Sequence, residues 1–342
     1  MMHLFGTDIT AIDVGAGSVK FVRISGGKRP ELLAAGLLEL PLEPEKREDT
    51  AAALRLFLAG KKTGKRVVTM LPGARLAIRQ LTLPKMPLPE LNEAVRWESK
   101  RQLSYPLDEA VIEFLIQGEK REGAVDKYDV LFVAAERSAV YDHLAPFERA
   151  GIKVEAVDAH PLALRNGFRL RDEPEDANVL LADLGAGNTE INVFRAGRLL
   201  FSRCIETGGI DATRAMADGL GVNADEAEAI KLQTNVAVAP DNDQAAAIMR
   251  KGLDSMLREI RRSAEYFRTA FRERAVEKFL LTGGGALTPG VAEYFSRSLA
   301  GVVELDAPFA RLSVPAKVAA EFGPAAPRFA AAVGAALRKA QG

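Results

Sequence analysis

The stretch IDVGAGSVKFVRI at residues 12–24 decides the fold, because the chain repeats it in outline as ADLGAGNTEINVF at residues 182–194. Each copy has an apolar entry, an Asp, a Gly-Ala-Gly turn, a Ser or Asn, and then an alternating apolar run. Asp183 follows Asp13 by 170 residues, and at the same offset Gly27-Lys28 is answered by Gly197-Arg198. The pattern predicts two β-hairpins, each feeding a third strand, Leu32–Leu40 in the first copy and Leu199–Glu206 in the second. A repeat at this spacing points to duplication of a whole domain.

The residue types in the turns define a chemistry. Gly15 and Gly17, flanking Ala16, and Gly185 and Gly187 in the second copy leave out the Cβ that would block an approaching anion. Consecutive backbone N–H groups in such a turn point into one concavity suited to phosphate oxygens. Ser18, and Asn188 with Thr189, add side-chain donors. Lys20 is placed either to neutralise phosphate charge or, by strand alternation, to face solvent. Asp13 and Asp183 repel phosphate but suit Mg²⁺, directly or through its waters. A third glycine segment follows the short strand Lys278–Thr282: Gly283-Gly284-Gly285-Ala286, then Thr288-Pro289 as the predicted start of a helix running to Leu299. Strand, triple glycine and helix suit close backbone approach to a flat ring system. Gly208-Gly209 opens another helix, whose N-terminal N–H groups are candidates for phosphate.

Composition sets the bounds. With 342 residues, a two-domain chain is expected. Lys plus Arg (46) equal Asp plus Glu (46), which argues against a mainly electrostatic nucleic-acid binder. Cys204 is the only cysteine, so an internal disulfide and a multi-thiolate zinc site are excluded. No apolar run reaches the length of a membrane span, and no secretory leader is apparent. The expected location is the cytoplasm.

Around the repeats, the pattern divides the chain into 1–65 as a first core subdomain, returning at about 152–170, and 66–151 as an insert. A second core subdomain is read at 171–220 and 276–342, with a small lid at 221–275. Within the insert the expected order is strands 67–71 and 77–83, helix 89–103, strands 110–119 and 128–135, and helix 138–150. Helix 50–58 precedes the insert, and helix 161–170 joins the halves. In the lid, Leu253, Leu257, Ile260, Ala264, Phe267 and Phe271 recur at helical steps on one long helix, a buried stripe. The arginines on its other faces read as a solvated face balanced by Glu259, Glu265 and Glu273. Gly334 in the last helix is read as a point of close packing.

These three glycine motifs, in this order, resemble the actin-like ATPase superfamily. Within it the chain is similar to the PilM family of cytoplasmic proteins in type IV pilus assembly. The similarity is carried by LPELNEAVRWESKRQLSYPLDEAVIEF (88–114), VDAHPLAL (157–164), LLFSRCIETGG (199–209), GVNADEAEAIK (221–231) and LLTGGGALTPGV (280–291). It extends to the cell-division relative FtsA and to the cytoplasmic part of GspL in type II secretion. The resemblance implies an α/β actin-like fold of duplicated core domains with a small α+β insert, and ATP or ADP with Mg²⁺ in the cleft. By the same resemblance Glu228 and Lys231 lie over ribose and adenine; a plain surface ion pair is the alternative. The position that orients water for hydrolysis falls near Asp158-Ala159-His160-Pro161, so Asp158 or His160 is the catalytic candidate, and slow or absent turnover is expected. The implied partner is the N-terminal tail of a PilN-type inner-membrane protein, recruiting the chain to that membrane. A sugar-kinase-like enzyme and an FtsA-like membrane filament are the competing functions; the first lacks a motif for an acceptor pocket, the second an amphipathic C-terminal anchor.

Overall fold

The computed structural model describes residues 8–27, 29–41, 49–64 and 66–338. Lys28, half of the second predicted turn match, lies outside them. Two five-stranded sheets form the frame. The first contains β1 (Ile9–Val14), β2 (Ser18–Ile24), β3 (Leu32–Glu39), β4 (Arg66–Leu71) and β8 (Ala156–Ala159), in the order β3-β2-β1-β4-β8. The second contains β9 (Val179–Leu184), β10 (Thr189–Arg195), β11 (Arg198–Ile205), β12 (Lys278–Thr282) and β13 (Val302–Leu305), in the order β11-β10-β9-β12-β13. In each, an antiparallel three-stranded meander continues into a parallel pair. The repeated sequence has become a repeated topology.

A three-stranded sheet, β5 (Leu76–Pro84), β7 (Val125–Glu136) and β6 (Ala110–Glu122), forms the body of the insert. One face packs under α2 (Leu88–Lys100), whose Leu91 and Val95 are fully buried with Phe132. Trp97, on the same helix, is 67% exposed. The opposite face, through Ile78 and Leu131, joins the main core. The insert is smaller than expected. Strand 66–71 pairs with β1 and β8 in the first sheet, and α3 (Arg137–Arg149) sends Phe147 into the core that holds Ile12, Val19 and Phe57 of the first domain. An apolar strand shows its burial in sequence but not which sheet it joins.

Helix α1 (Thr50–Leu58) runs as expected, with the Asp49 carboxylate accepting from Ala51 N–H and Ala51, Leu54 and Phe57 facing inward. Helix α4 (His160–Phe168) carries the chain from the first sheet on to β10 and β11. The last helix, α10 (Ala330–Ala336), returns to pack on β1, β2 and β4. The stretch 276–342 therefore does not stay with the second domain, as the division above had it; its end is lodged on the first. The two helices cross at Gly334, where a Cβ would stand 1.8 Å from the Ala163 carbonyl oxygen. Backbone packs on backbone there, which only glycine permits.

Helices α6 (Ala224–Gln233) and α7 (Gln244–Ala270) occupy the stretch expected as a lid, and α5 (Gly209–Leu220), which the division above puts in the second core subdomain, packs against both. Leu253, Leu257, Ile260 and Phe267 are buried along α7, while Phe271 is 38% exposed where the helix stops and Arg272 takes φ +54°. After β12, the predicted Thr288 cap is displaced: α8 (Val291–Ser296) begins behind Gly290, whose φ of +79° turns the chain. Helix α9 (Ala316–Phe322) leads into the terminal segment. Among the described residues no helix is long and apolar enough to cross a membrane.

Candidate functional site

The two hairpin turns meet face to face. A Cβ on Gly17 would lie 2.8 Å from that of Ala186, and one on Gly187 would lie 2.9 Å from that of Ala16. Each turn is closed by the same bond: Gly15 N–H to the Ser18 carbonyl at 3.0 Å and Gly185 N–H to the Asn188 carbonyl at 2.9 Å. The reciprocal contact is what an approximate twofold axis between the domains requires.

Behind each turn the paired strands bring two side chains together, and here the copies differ. In the first, Asp13 lies opposite Lys20, with Lys20 Nζ 3.0 Å from Asp13 Oδ2. Burial pushes the Asp13 carboxyl up, but the charge of Lys20, followed by those of His160 and His143, outweighs it and holds the group below its ordinary value. In the second, the same register sets Asp183 opposite Glu190. His160, at the start of α4, separates the two carboxylates: its Nε2 is 3.4 Å from Asp183 Oδ2 and its Nδ1 is 2.9 Å from Glu190 Oε2. The other oxygen of Glu190 accepts Gly73 N–H at 2.7 Å. Burial alone would discharge the imidazole, but Glu190 and then Asp183 and Asp13 keep it protonated, its pKa raised to about 10. Burial, with Glu190 and Asp13 adding to it and His160 opposing, lifts Asp183 to about 6.

The glycine segment after β12 packs directly on the second hairpin. Gly283, at φ +83°, has no room for a side chain, since a Cβ would sit 2.2 Å from Asp183 Oδ1. Ala286 is buried beneath it. Arg328 closes the assembly from the chain's end, its guanidinium forming two bonds to the Glu39 carboxylate at 2.5 and 2.7 Å and lying against Gly284.

Several predicted residues take other roles. The N–H groups of Gly208 and Gly209 are already engaged, to Asp211 Oδ2 at 2.9 Å and to the Gly185 carbonyl at 3.0 Å. The start of α5 thus braces the second turn instead of presenting those donors to phosphate. Thr189 commits its hydroxyl to the Thr207 carbonyl, while Ser18 is buried at the first turn and Asn188 half-buried at the second. Lys231 is buried, not a surface partner: its Nζ reaches Glu228 at 2.5 Å, Thr213 at 2.7 Å and the Gly209 carbonyl at 3.2 Å. Of the two catalytic candidates, His160 reaches the carboxylates behind the second turn. Asp158 instead accepts Ala159 N–H at 2.8 Å and lies 4.0 Å from Arg338; burial lifts its pKa despite that arginine.

Sequence reasoning passed over Glu190, Gly73, the Glu39–Arg328 pair and His143, which meets Thr69 Oγ1 at 2.9 Å. Glu190 carried a signal, for it stands 170 residues after Lys20. Among the described residues no cluster of three His, Cys, Asp or Glu side chains is arranged to hold a metal by itself.

Paired glycine turns between duplicated sheets, with a third glycine segment at their side, define the actin-like ATPase fold. MreB5 of Spiroplasma citri, solved bound to AMPPNP, matches over 96% of this chain and 94% of its own at a TM-score of 0.52 and 11% identity, a likeness of fold alone. The chain belongs to the family described as type IV pilus assembly protein PilM, whose profile matches residues 11–340. The structure of a PilM–PilN type IV pilus biogenesis complex matches at a TM-score of 0.83 and 28% identity, over 97% of this chain and 98% of that one. The cell-division protein FtsA of Bacillus subtilis is 25% identical over 57% of this chain and 51% of its own length. The chain spans about half the length of the curated relatives it matches.

Proposed function

We propose that this chain is an ATP-binding scaffold of type IV pilus assembly. It works in the cytoplasm and reaches the inner membrane by docking the N-terminal tail of a PilN-type membrane protein. One observation carries the nucleotide reading: the two glycine turns abut at Gly17–Ala186 and Gly187–Ala16, placing Asp13 and Asp183 behind a single cleft. The residues fit Mg·ATP. Mg²⁺ characteristically takes one or two carboxylates and completes its shell with waters and the nucleotide's own phosphates, so Asp13 and Asp183 suffice without a third protein ligand. Backbone N–H groups of the turns and Lys20 would meet phosphate charge; the Gly283–Gly285 backbone, with Ala286, would meet the base, and Glu228 and Lys231 would border the ribose. The bound metal would screen the phosphates' negative charge.

Turnover is slow or absent because His160 is not free to act on water. Both its ring nitrogens face carboxylates, Asp183 and Glu190, and a proton held on that imidazole leaves no lone pair to receive another. The match to the PilM–PilN complex across nearly the whole chain supports the partner over a kinase reading. Calorimetric titration of Mg·ATP into the full chain, followed by co-purification with a PilN-type tail with and without nucleotide, tests the proposal. Binding that Asp13→Asn weakens, with phosphate release below about 1 s⁻¹, is expected. A wild-type chain without ATP affinity, or one turning over at the rate of a working enzyme, would overturn it.

A further inference from the structure

A groove of about 470 Å³ lies on the other side of β11, between the edge of the insert sheet and α7. Its floor is aromatic: Phe201, Tyr266 and Phe271 form a cluster with centroids 5.8 to 6.4 Å apart, and Tyr266 is 55% exposed. Its lining has no Asp or Glu but three arginines, Arg79, Arg203 and Arg262. Arg203 and Arg262 share one carboxylate, Glu259, at 2.8 and 4.0 Å. Arg79 is exposed, and among the described residues its bond is to the carbonyl of its neighbour Ile78. Among the described residues, two positive charges therefore remain uncompensated over an apolar floor.

The groove also has a backbone template. β11 is an edge strand of its sheet. Gln80 and Gln117 occupy the backbone groups of Leu199 and Leu200. Beyond Leu200, no backbone group from outside the sheet bonds to this edge among the described residues. An unpaired strand edge accepts an extended segment through main-chain bonds, and side-chain pockets then supply selectivity.

We propose that this groove is a second docking site, for an extended acidic peptide segment of a partner protein that adds to the edge of β11. Its carboxylates meet Arg79 and Arg262, and an apolar side chain settles on the Tyr266 cluster. Complementary charge is the argument for an acidic occupant, and the strand edge is the argument for an extended one. The site is separate from the cleft between the hairpins, so it stands whether or not the nucleotide reading does.

The test is fluorescence anisotropy on the full chain, with a short labelled peptide alternating Glu with Leu and Phe, and a counterpart carrying Lys in place of Glu. The acidic peptide should bind and the basic one should not. Combined Arg79→Glu and Arg262→Glu substitution should weaken binding about tenfold or more, as should Tyr266→Ala, while melting temperature and Mg·ATP affinity stay at wild-type values. Equal affinity for both peptides, indifference to the substitutions, or absence of binding would overturn the proposal. So would displacement by single-stranded DNA, which would mark a general polyanion surface, or by a PilN-type tail, which would place both ligands in one groove.

Discussion

In the first hairpin the residue across from the aspartate is Lys20; in the second, at the same register and 170 residues on, it is Glu190. The backbone of the two is so similar that even the turn-closing bonds agree to about 0.1 Å. What differs is where the positive charge comes from. The first hairpin contains its own, so Asp13 finds its nearest and strongest cation, Lys20, within a single two-stranded unit, with His160 and His143 adding to it from outside. The second contains two buried acids and must borrow a cation, which α4 delivers as His160. That loan ties three separate parts of the chain to one carboxylate, because Glu190 also holds the Gly73 N–H at the entry to the insert. Duplication supplied a symmetric frame, and a single reversal of charge made one half a junction.

The largest expected effect comes from breaking the junction. Glu190 is 2% exposed, and Glu190→Ala would leave His160 facing Asp183 alone and the Gly73 N–H without an acceptor. Removing one partner of a buried ion pair costs about 3–5 kcal/mol. Thermal or urea unfolding should show a loss of that order, and hydrogen exchange should quicken at Gly73 and at the start of α4. The pH profile sharpens the point. A histidine raised to about 10 in the fold lends stability that is full below about 6.5, its unfolded value, and disappears as pH climbs through 10. Wild type should lose stability over that alkaline window, and Glu190→Gln should lose much less of it. Matching profiles would mean that His160 is not held by Glu190.

The corresponding change in the first copy should be milder and local. Lys20→Met leaves Asp13 buried without its nearest cation, an unmet polar group worth about 1–3 kcal/mol, while beyond its own hairpin that ammonium acts on Asp183 through its charge and not through a bond. Exchange at α4 and the insert should be unaltered. The Asp13 carboxyl should move up from its present depressed position, observable by NMR titration. If Lys20→Met disturbed Gly73 as strongly as Glu190→Ala, the contrast between the copies would collapse.

Much of this frame could be read from residues alone, and the exceptions share a cause. Asp-Gly-Ala-Gly turns specify hairpins locally, because glycine at those positions answers a backbone demand that few other residues meet; hence both hairpins and the β12 glycine segment appear where expected, as does the Thr50–Leu58 helix, which the Asp49 cap begins. The strand expected at 67–71 and the helix expected at 138–150 read as parts of the insert because their partners, β1 and α1, lie far back in the sequence, and periodicity reports burial without naming the neighbour. Glu190 escaped notice for a different reason. The repeat was recognised through what the copies share, and Glu190 matters through what they do not. The same holds for the donors of Gly208 and Gly209, which look free in sequence and are taken by the turn they support.

The smallest expected effect lies one strand further out. Across β10, Glu190 faces Cys204, whereas Lys20 faces the inert Leu37. Burial, with Glu190, Glu206 and Asp183 contributing negative charge, pushes the Cys204 thiol up to about 12. The thiolate is the reactive form, so at pH 8 alkylation by iodoacetamide should run more than about tenfold slower in the folded chain than in urea, where the thiol returns to about 8.5. Glu190→Gln removes one of the charges that hold the proton on sulfur and should speed the folded-state reaction. Glu206→Gln should do so less, following the order in which these groups act on the thiol. Mass spectrometry of the modified peptide reads both rates. If neither substitution changes them, burial alone protects Cys204, and the acidic character of the second hairpin ends at β10.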